Sequence, residues 1–174
     1  MLDTEALITK HRGKGVFVDT NLLVLLLVGS VNPNRILNFK RTQNFTREDF
    51  RVLSKLVAWF GNPLVTTPHV LSQVSDLTDL GGREGILGRQ RFRSRVEVIE
   101  ERYDEARRLV LHPLFERFGL GDASIAAVCE RNIVVLTADV QLQIGLACMG
   151  LDAIDFNHVR SRFLSSAPRT ETLS

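Results

Sequence analysis

Short apolar runs alternate along this chain with longer segments whose apolar residues recur at helical spacing. Val16–Val18 is a β-branched and aromatic run between Gly15 and Asp19, which is typical of a strand buried on both faces of a sheet. The Leu-rich segment 22–28 predicts a buried helix, because crossing a bilayer takes about 20 apolar residues and no membrane span is expected here. Further strands are predicted at residues 64–66, 133–136 and 151–154.

The helical segments carry their own start and stop signals. Residues 46–60 repeat apolar positions every three or four residues, with Thr46 as the N-cap and Gly61 just past the end. Pro68 opens a second helix, which is predicted to run to about residue 80. Four glycines within residues 81–88 predict a flexible stretch. Other helices are predicted at residues 96–110, 123–130 and 140–149, with one helical turn at 35–39.

The alternation of strands with helices determines the expected fold class. It implies right-handed crossovers and a parallel sheet, so we expect an α/β fold with three α/β/α layers and a parallel sheet of four or five strands. A chain of 174 residues with 44% hydrophobic content is long enough for one complete core, which we assign to a single domain at residues 1–164. The Ser- and Thr-rich residues 165–174 are predicted to form a flexible tail.

The cysteines predict a reducing environment for this protein, whereas its net charge does not predict a binding partner. The chain has 22 Lys and Arg against 20 Asp and Glu, and a net charge of +2 argues neither for nor against a polyanionic partner. Cys129 and Cys148 lie in apolar stretches without metal-binding spacing, which predicts reduced, buried thiols. Residues 1–15 contain no apolar segment of the secretory kind, so a cytoplasmic location is expected.

Three aspartates are predicted to meet at one edge of the sheet. Asp19 directly follows the first strand, Asp139 lies just beyond the strand at 133–136, and Asp122 opens the helix before that strand. The carboxyl ends of parallel strands form the edge where ligands bind. Each aspartate alone is explained equally well as a helix N-cap, but three neighbouring carboxylates repel one another and favour a bound cation. Oxygen ligands without Cys or His suit Mg²⁺ or Mn²⁺.

The sequence around these aspartates resembles a known family. Residues 16–21 (VFVDTN), 121–126 (GDASIA) and 134–139 (VVLTAD) are similar, in order, to the three acidic blocks of the PIN-domain family. The resemblance covers residues 16–156 and implies a PIN-like parallel sheet between helices. It also implies metal-dependent endonuclease cleavage of RNA, often by the toxin of a toxin–antitoxin pair. The metal ligands would be Asp19, Asp122 and Asp139.

The resemblance implies further roles and partners. Asn21 and Thr137 would hold the carboxylates or the attacking water, although helix capping explains both residues equally well. Water would attack a backbone phosphorus in line and leave a 5′-phosphate and a 3′-hydroxyl. The expected partners are an RNA substrate, an antitoxin or other inhibitor protein, and a second copy of the chain in a homodimer.

One position departs from the family pattern. The family usually places a glutamate on the helix after the second strand, where this chain has Gln73. Gln73 can orient water, but it is uncharged and a poorer Mg²⁺ ligand. Asp76 lies on about the same helical face and is either a replacement ligand or a solvated helix acid. Gln73 leaves a second hypothesis open, a catalytically weakened PIN-like module that binds RNA or a protein without cutting.

Four arginines after the glycine-rich stretch are candidates for nucleic-acid binding. In an extended segment, their alternation with other residues would put all four side chains on one side, facing a phosphate backbone. The alternative is a solvated loop that pairs with the acidic residues of segment 97–104. The four residues are Arg89, Arg91, Arg93 and Arg95.

Overall fold

A five-stranded, all-parallel sheet forms the centre of the molecule, as seen in a computed structural model that describes residues 3–61 and 63–166. The sheet is flanked by helices, so the expected three-layer α/β fold is confirmed. The strand order is β3-β2-β1-β4-β5, and every neighbouring pair is parallel. The strands are β1 (Val16–Val18), β2 (Leu64–Thr66), β3 (Glu100–Glu101), β4 (Val134–Thr137) and β5 (Ala153–Asp155).

Helices connect the strands and account for most of the remaining described chain. A short 3-10 helix, Pro33–Asn38, covers the helical turn predicted at residues 35–39. The α-helices are α1 (Thr4–Lys10), α2 (Thr20–Val31), α3 (Arg47–Phe60), α4 (Pro68–Leu77), α5 (Gly82–Val96), α6 (Ala106–Leu109), α7 (Phe115–Cys129), α8 (Val140–Cys148) and α9 (Phe156–Ser166). Within the described residues, no helix combines the length and apolar character needed to cross a membrane.

The core is built around β1 and α2. All three residues of β1 are fully buried, and residues 22–29 of α2 are buried without interruption. α2 contacts α3, α4 and α5, so it lies inside the helical layer rather than on its surface. A Cβ atom added at Gly29 would lie 2.4 Å from the Phe50 ring, which means that α2 and α3 approach closely only because Gly29 has no side chain.

α3 has the boundaries that its sequence predicts. The Thr46 hydroxyl accepts a hydrogen bond from the Asp49 N–H, and the Asp49 carboxylate accepts one from the Thr46 N–H. This reciprocal capping box satisfies two backbone donors that the helix itself leaves free. Gly61 follows the last turn with a φ of 73°, which a residue with a side chain rarely adopts.

The segment between residues 81 and 110 differs from the prediction. Residues 82–96 form the helix α5, although its glycines predicted a flexible stretch. Gly85 and Gly88 are buried, and packing against α2 offsets their low helix propensity. The helix predicted at 96–110 is wrong, because this segment holds the two-residue strand β3 and the single turn α6.

Smaller differences concern the last third of the chain. The helix predicted at 123–130 begins a few residues earlier, just after Gly119, whose φ of 82° separates it from a further helical segment that starts at Phe115. Cys148 is exposed, which corrects the prediction of a buried thiol, whereas Cys129 is buried as predicted. α9 includes the first two residues of the predicted flexible tail, and the remainder of that tail, 167–174, lies outside the described residues.

Candidate functional site

The strand order places a crevice at the carboxyl ends of β1 and β4. From β1 the chain continues outward to β2 and β3, and it then returns to add β4 and β5 on the other side of β1. Ligands bind at such reversal points in open parallel sheets, because the loops on the two sides diverge there. Asp19 is the first residue after β1, and Asp139 lies two residues after the end of β4.

Asp19 is a buried carboxylate held from two elements. Its Oδ1 accepts a hydrogen bond of 2.8 Å from the N–H of Leu22, so Asp19 is also the N-cap of α2. Its Oδ2 accepts hydrogen bonds from the Thr137 hydroxyl and, at 3.2 Å, from the N–H of Ala138. The side chain therefore joins the start of α2 to the loop after β4.

Asp139 lies on that same loop and caps α8. Its Oδ1 accepts hydrogen bonds from the N–H groups of Gln141 at 2.8 Å and Leu142 at 3.1 Å. The Asp139 N–H donates to the Thr137 hydroxyl at 2.9 Å. One hydroxyl group thus donates to Asp19 and accepts from Asp139. Thr137 therefore holds the Asp19 carboxylate, while Asp19 and Asp139 also act as the N-caps of α2 and α8.

Asp122 differs from the other two aspartates in its surroundings. It lies in α7, three residues after the break at Gly119, and so in the first turn of the second part of this helix, close to the start that the sequence predicts. The carboxylate is half-buried and makes no hydrogen bond with any described residue. A half-buried carboxylate without a donor from the protein loses part of its hydration without compensation, and both of its oxygens are available to a ligand.

The three aspartates act on one another electrostatically. Burial raises the pKa of Asp19 from the ordinary 3.8 to about 6, against the opposing effect of its hydrogen bonds, and the charge of Asp139 adds to the rise. Burial also raises the pKa of Asp122 to about 6, followed by the charges of Asp139 and Asp19. These charge effects arise because the three carboxylates lie near one another at this edge of the sheet.

Gln73 reaches this site from α4. Its Oε1 accepts a hydrogen bond of 2.8 Å from the hydroxyl of Thr20, the residue after Asp19. Its carboxamide also lies against α7, where a Cβ added at Gly121 would be 2.8 Å from the Gln73 Nε2. Gln73 therefore contacts Thr20, the residue after Asp19, and lies against Gly121, the residue before Asp122. Asp76 is exposed and makes no hydrogen bond or ion pair with any described residue, so nothing links it to the aspartates.

Asn21 and several residues that the sequence did not suggest form a polar pocket beside Asp19. Asn21 is exposed, makes no hydrogen bond to the three carboxylates in the part of the chain described, and lines this pocket. The sequence pattern around Arg41 and Arg160, two further lining residues, carried no functional signal. Asn157 follows β5 by two residues, so the rule that identified Asp19 and Asp139 would have identified it as well.

The four arginines do not share one side, because they lie on α5. At about 100° per residue, Arg89 and Arg93 fall on one face, and Arg91 and Arg95 on the opposite one. Arg93 pairs with Glu97 at 3.2 Å, as the alternative of pairing with acidic residues predicts. Arg91 and Arg95 line a separate groove between α2, α4 and α5.

The chemistry of the three aspartates suits a hard cation, although their positions in the described protein do not by themselves form a coordination sphere. Among residues 3–61 and 63–166, no three His, Cys, Asp or Glu side chains are arranged to hold a metal ion. Asp122 and the Oδ2 of Asp139 accept no hydrogen bonds from the described residues, so these oxygens are available as ligands. The metal site stays a prediction. Comparisons with protein-family models, with curated proteins and with solved structures found no match to this chain.

Proposed function

We propose that this chain is a metal-dependent endoribonuclease of the PIN-like kind, which hydrolyses RNA phosphodiesters at the carboxyl edge of its sheet. The observation that carries the proposal is the group of three aspartates at the strand-order reversal, where burial and, to a smaller extent, the charge of Asp139 raise the pKa of Asp19 and Asp122. The sequence blocks around these residues are similar to the acidic blocks of the PIN family. Unpaired Cys129 and Cys148 are in keeping with action in the cytoplasm.

Mg²⁺ or Mn²⁺ would be held by the carboxylates of Asp19, Asp122 and Asp139. Support comes from the free oxygens of Asp122 and from the repulsion that a cation would relieve. When bound, the ion would neutralise charge on the phosphate oxygens and make water more acidic. The carboxylates must approach one another for this, since their present arrangement does not provide a common coordination sphere.

The chain's own residues would position the reacting groups. Thr137 fixes Asp19 by donating to its Oδ2 and fixes the loop by accepting from the Asp139 N–H. Such supporting hydrogen bonds hold carboxylate ligands in orientation. Gln73 is anchored by Thr20, and its Nε2 donates no hydrogen bond to any described residue, so it is available to orient water or a phosphate oxygen.

The direct test is an incubation of the pure protein with end-labelled single-stranded RNA and Mn²⁺, with and without EDTA. We expect cleavage with Mn²⁺, no cleavage with EDTA, and products with 5′-phosphates. Asp122→Asn should abolish cleavage, whereas Glu116→Gln, which removes one exposed negative charge from the same helix, should leave it unchanged. Cleavage that survives EDTA, or that persists in Asp122→Asn, would contradict the proposal.

A second candidate function is a PIN-like module that binds RNA or a protein without cutting it. The observation that favours it is Gln73, a neutral side chain at the site where the family carries a glutamate. Gln73→Glu keeps an acceptor for the Thr20 hydroxyl and adds a fourth carboxylate. The matched control is Ser75→Glu, which adds the same charge at an exposed position of α4.

The two functions predict different outcomes for this pair of variants. If the present chain binds RNA but does not cut it, and Gln73→Glu alone creates Mn²⁺-dependent cleavage, the binding function is supported. If the present chain already cuts RNA and Gln73→Glu raises the rate or the metal affinity, the endoribonuclease is supported.

A further inference from the structure

A polar pocket of about 440 Å³ adjoins the loop after β4, which donates a hydrogen bond to Asp19 and carries Asp139. It lies between the start of α2, the segment before α3, the loop after β4 and the start of α9. Its polar lining contains two arginines and three asparagines and no carboxylate. These residues are Asn21, Arg41, Asn44, Asn157 and Arg160.

The pocket and the acidic site share a wall. Ala138 lines the pocket, and its N–H donates to the Oδ2 of Asp19 at 3.2 Å. The Ala138 carbonyl oxygen accepts a hydrogen bond of 3.0 Å from the Nδ2 of Asn157. A ligand in the pocket would therefore lie next to the Asp19 carboxylate, separated from it by the backbone of Ala138.

Arg160 is held in place as part of this wall. Its Nη1 donates to the carbonyl oxygen of Asn44 at 3.2 Å and lies 3.4 Å from the Oδ2 of Asp49, while its guanidinium stands over the Phe45 ring at 5.6 Å. Asp49 is buried, and its Oδ2 also accepts the Thr46 N–H at 2.7 Å. The Nε and Nη2 of Arg160 make no hydrogen bond with described residues, so donors remain for a ligand.

Arg41 gives the pocket its excess positive charge. It is exposed, and no carboxylate among the described residues pairs with it. Since Asp49 balances only Arg160, the pocket keeps about one positive charge beside a site of three negative ones. A rigid guanidinium, a mobile one and several amide groups together recognise an anion that has several acceptor oxygens, such as a phosphate.

We propose that this pocket binds a backbone phosphate of the RNA strand, next to the phosphodiester that the aspartates would cut. The proposal rests on the proposed function and adds a substrate-binding site to it. A strand crossing the shared wall would place one phosphate against Arg41 and Arg160 and a neighbouring phosphate at the carboxylates. The pocket would thereby fix the direction and register of the strand before the reaction.

The first experiment measures binding of single-stranded RNA in EDTA, so that it does not depend on cleavage. One phosphate contact on a single strand contributes a slope of about −0.7 to the dependence of log K on log salt. Arg41→Ala should therefore flatten the slope by about 0.7 and weaken binding about fivefold at 0.1 M salt. The control is Lys14→Ala, which removes the same charge just before β1, at the opposite edge of the sheet. Equal slopes for the two variants would overturn the proposal while leaving the nuclease function standing.

The second experiment uses pyrophosphate alone as the probe and measures Tm in EDTA. At about five times its Kd, pyrophosphate should raise the Tm of the unaltered protein and of Lys14→Ala by about 2–4 °C, but not that of Arg41→Ala. A rise that Arg41→Ala retains would overturn the pocket as an anion site. The Tm rise could depend on Arg41 while the unaltered protein neither binds nor cuts RNA. That combination would overturn RNA as the ligand of the pocket and would overturn the proposed function as well.

Discussion

Replacing Asp122 with asparagine should stabilise this protein while removing its proposed activity. The Asp122 carboxylate is half-buried, accepts no hydrogen bond from the described residues and lies near the charges of Asp139 and Asp19. Asparagine has nearly the same shape and carries no charge, so Asp122→Asn removes both the cost of burying the charge and the repulsion from the other carboxylates, and it keeps the packing. Asp19 is less suitable for this test, because asparagine there would turn a donor toward the N–H of Ala138.

The pKa of Asp122 determines the magnitude and the pH range of the effect. A rise from 3.8 to about 6 corresponds to about 3 kcal/mol at full burial, and solvent screening at a half-buried side chain reduces this to about 1–2 kcal/mol. Because the folded-state pKa is the higher one, the folded protein binds more protons between these values, and its stability falls as the pH rises through them. The gain from Asp122→Asn is therefore small near pH 4 and complete above about pH 7.

The assay is urea unfolding in EDTA at about pH 4 and about pH 7.5, with Tm as a second measurement. At the higher pH we expect the free energy of unfolding to rise by about 1–2 kcal/mol and Tm by about 3–6 °C. Glu116→Gln, on the same helix, should stay within about 0.5 kcal/mol at both pH values. Equal or lower stability of Asp122→Asn at pH 7.5 would refute the claim that burial and the neighbouring carboxylates disfavour the charge of Asp122.

Three further predictions concern the supports of the site and the core. Thr137→Val removes the hydroxyl that lowers the pKa of Asp19, so the pH–rate profile of cleavage should move to higher pH and unfolding should become easier by about 1–3 kcal/mol; an unchanged profile would contradict this. Gly29→Ala forces a methyl group into the Phe50 ring and should cost about 1–3 kcal/mol in urea unfolding, and no cost would mean that α2 and α3 are not in close contact. Millimolar Mn²⁺ should raise the Tm of the unaltered protein but not that of Asp122→Asn, and equal shifts would place the ion elsewhere.

The sheet could be predicted from the sequence where burial determines the residue type. The apolar residues of β1, β2, β4 and β5 are buried, and such short apolar runs between turn residues identify them. β3 could not be predicted, because Glu100 and Glu101 are exposed and this edge strand pairs with β2 through backbone hydrogen bonds alone. Nothing in the side chains distinguishes such a strand from a loop.

The segment before α7 shows how tertiary contacts override local patterns. Gly85 and Gly88 each lower helix stability by up to about 1 kcal/mol, and the packing of α5 against α2, which offsets this, involves residues distant in sequence. The helical spacing within 96–110 was coincidental. Tyr103 is 67% exposed and Val110 is 42% exposed, so these apolar residues do not form a buried helical face.

The acidic half of the site was easier to predict than the basic half. Asp19 and Asp139 are identified by their positions just after strands, which the sequence reveals directly. Arg41 and Arg160 come from segments far apart in the chain, and they meet only because α9 packs on α3. No local sequence motif predicts that these two arginines line the same pocket.

The unbroken burial of residues 22–29 of α2 has a consequence for how the protein folds and how it can be expressed. A helix without a polar face cannot remain dissolved by itself, so α2 is shielded only once α3, α4 and α5 have docked around it. Asp19 caps this helix, and the candidate site therefore forms in the same all-or-none event as the core. Fragments that end before α5 should self-associate and precipitate rather than retain partial activity, which makes the intact domain the smallest useful unit for expression.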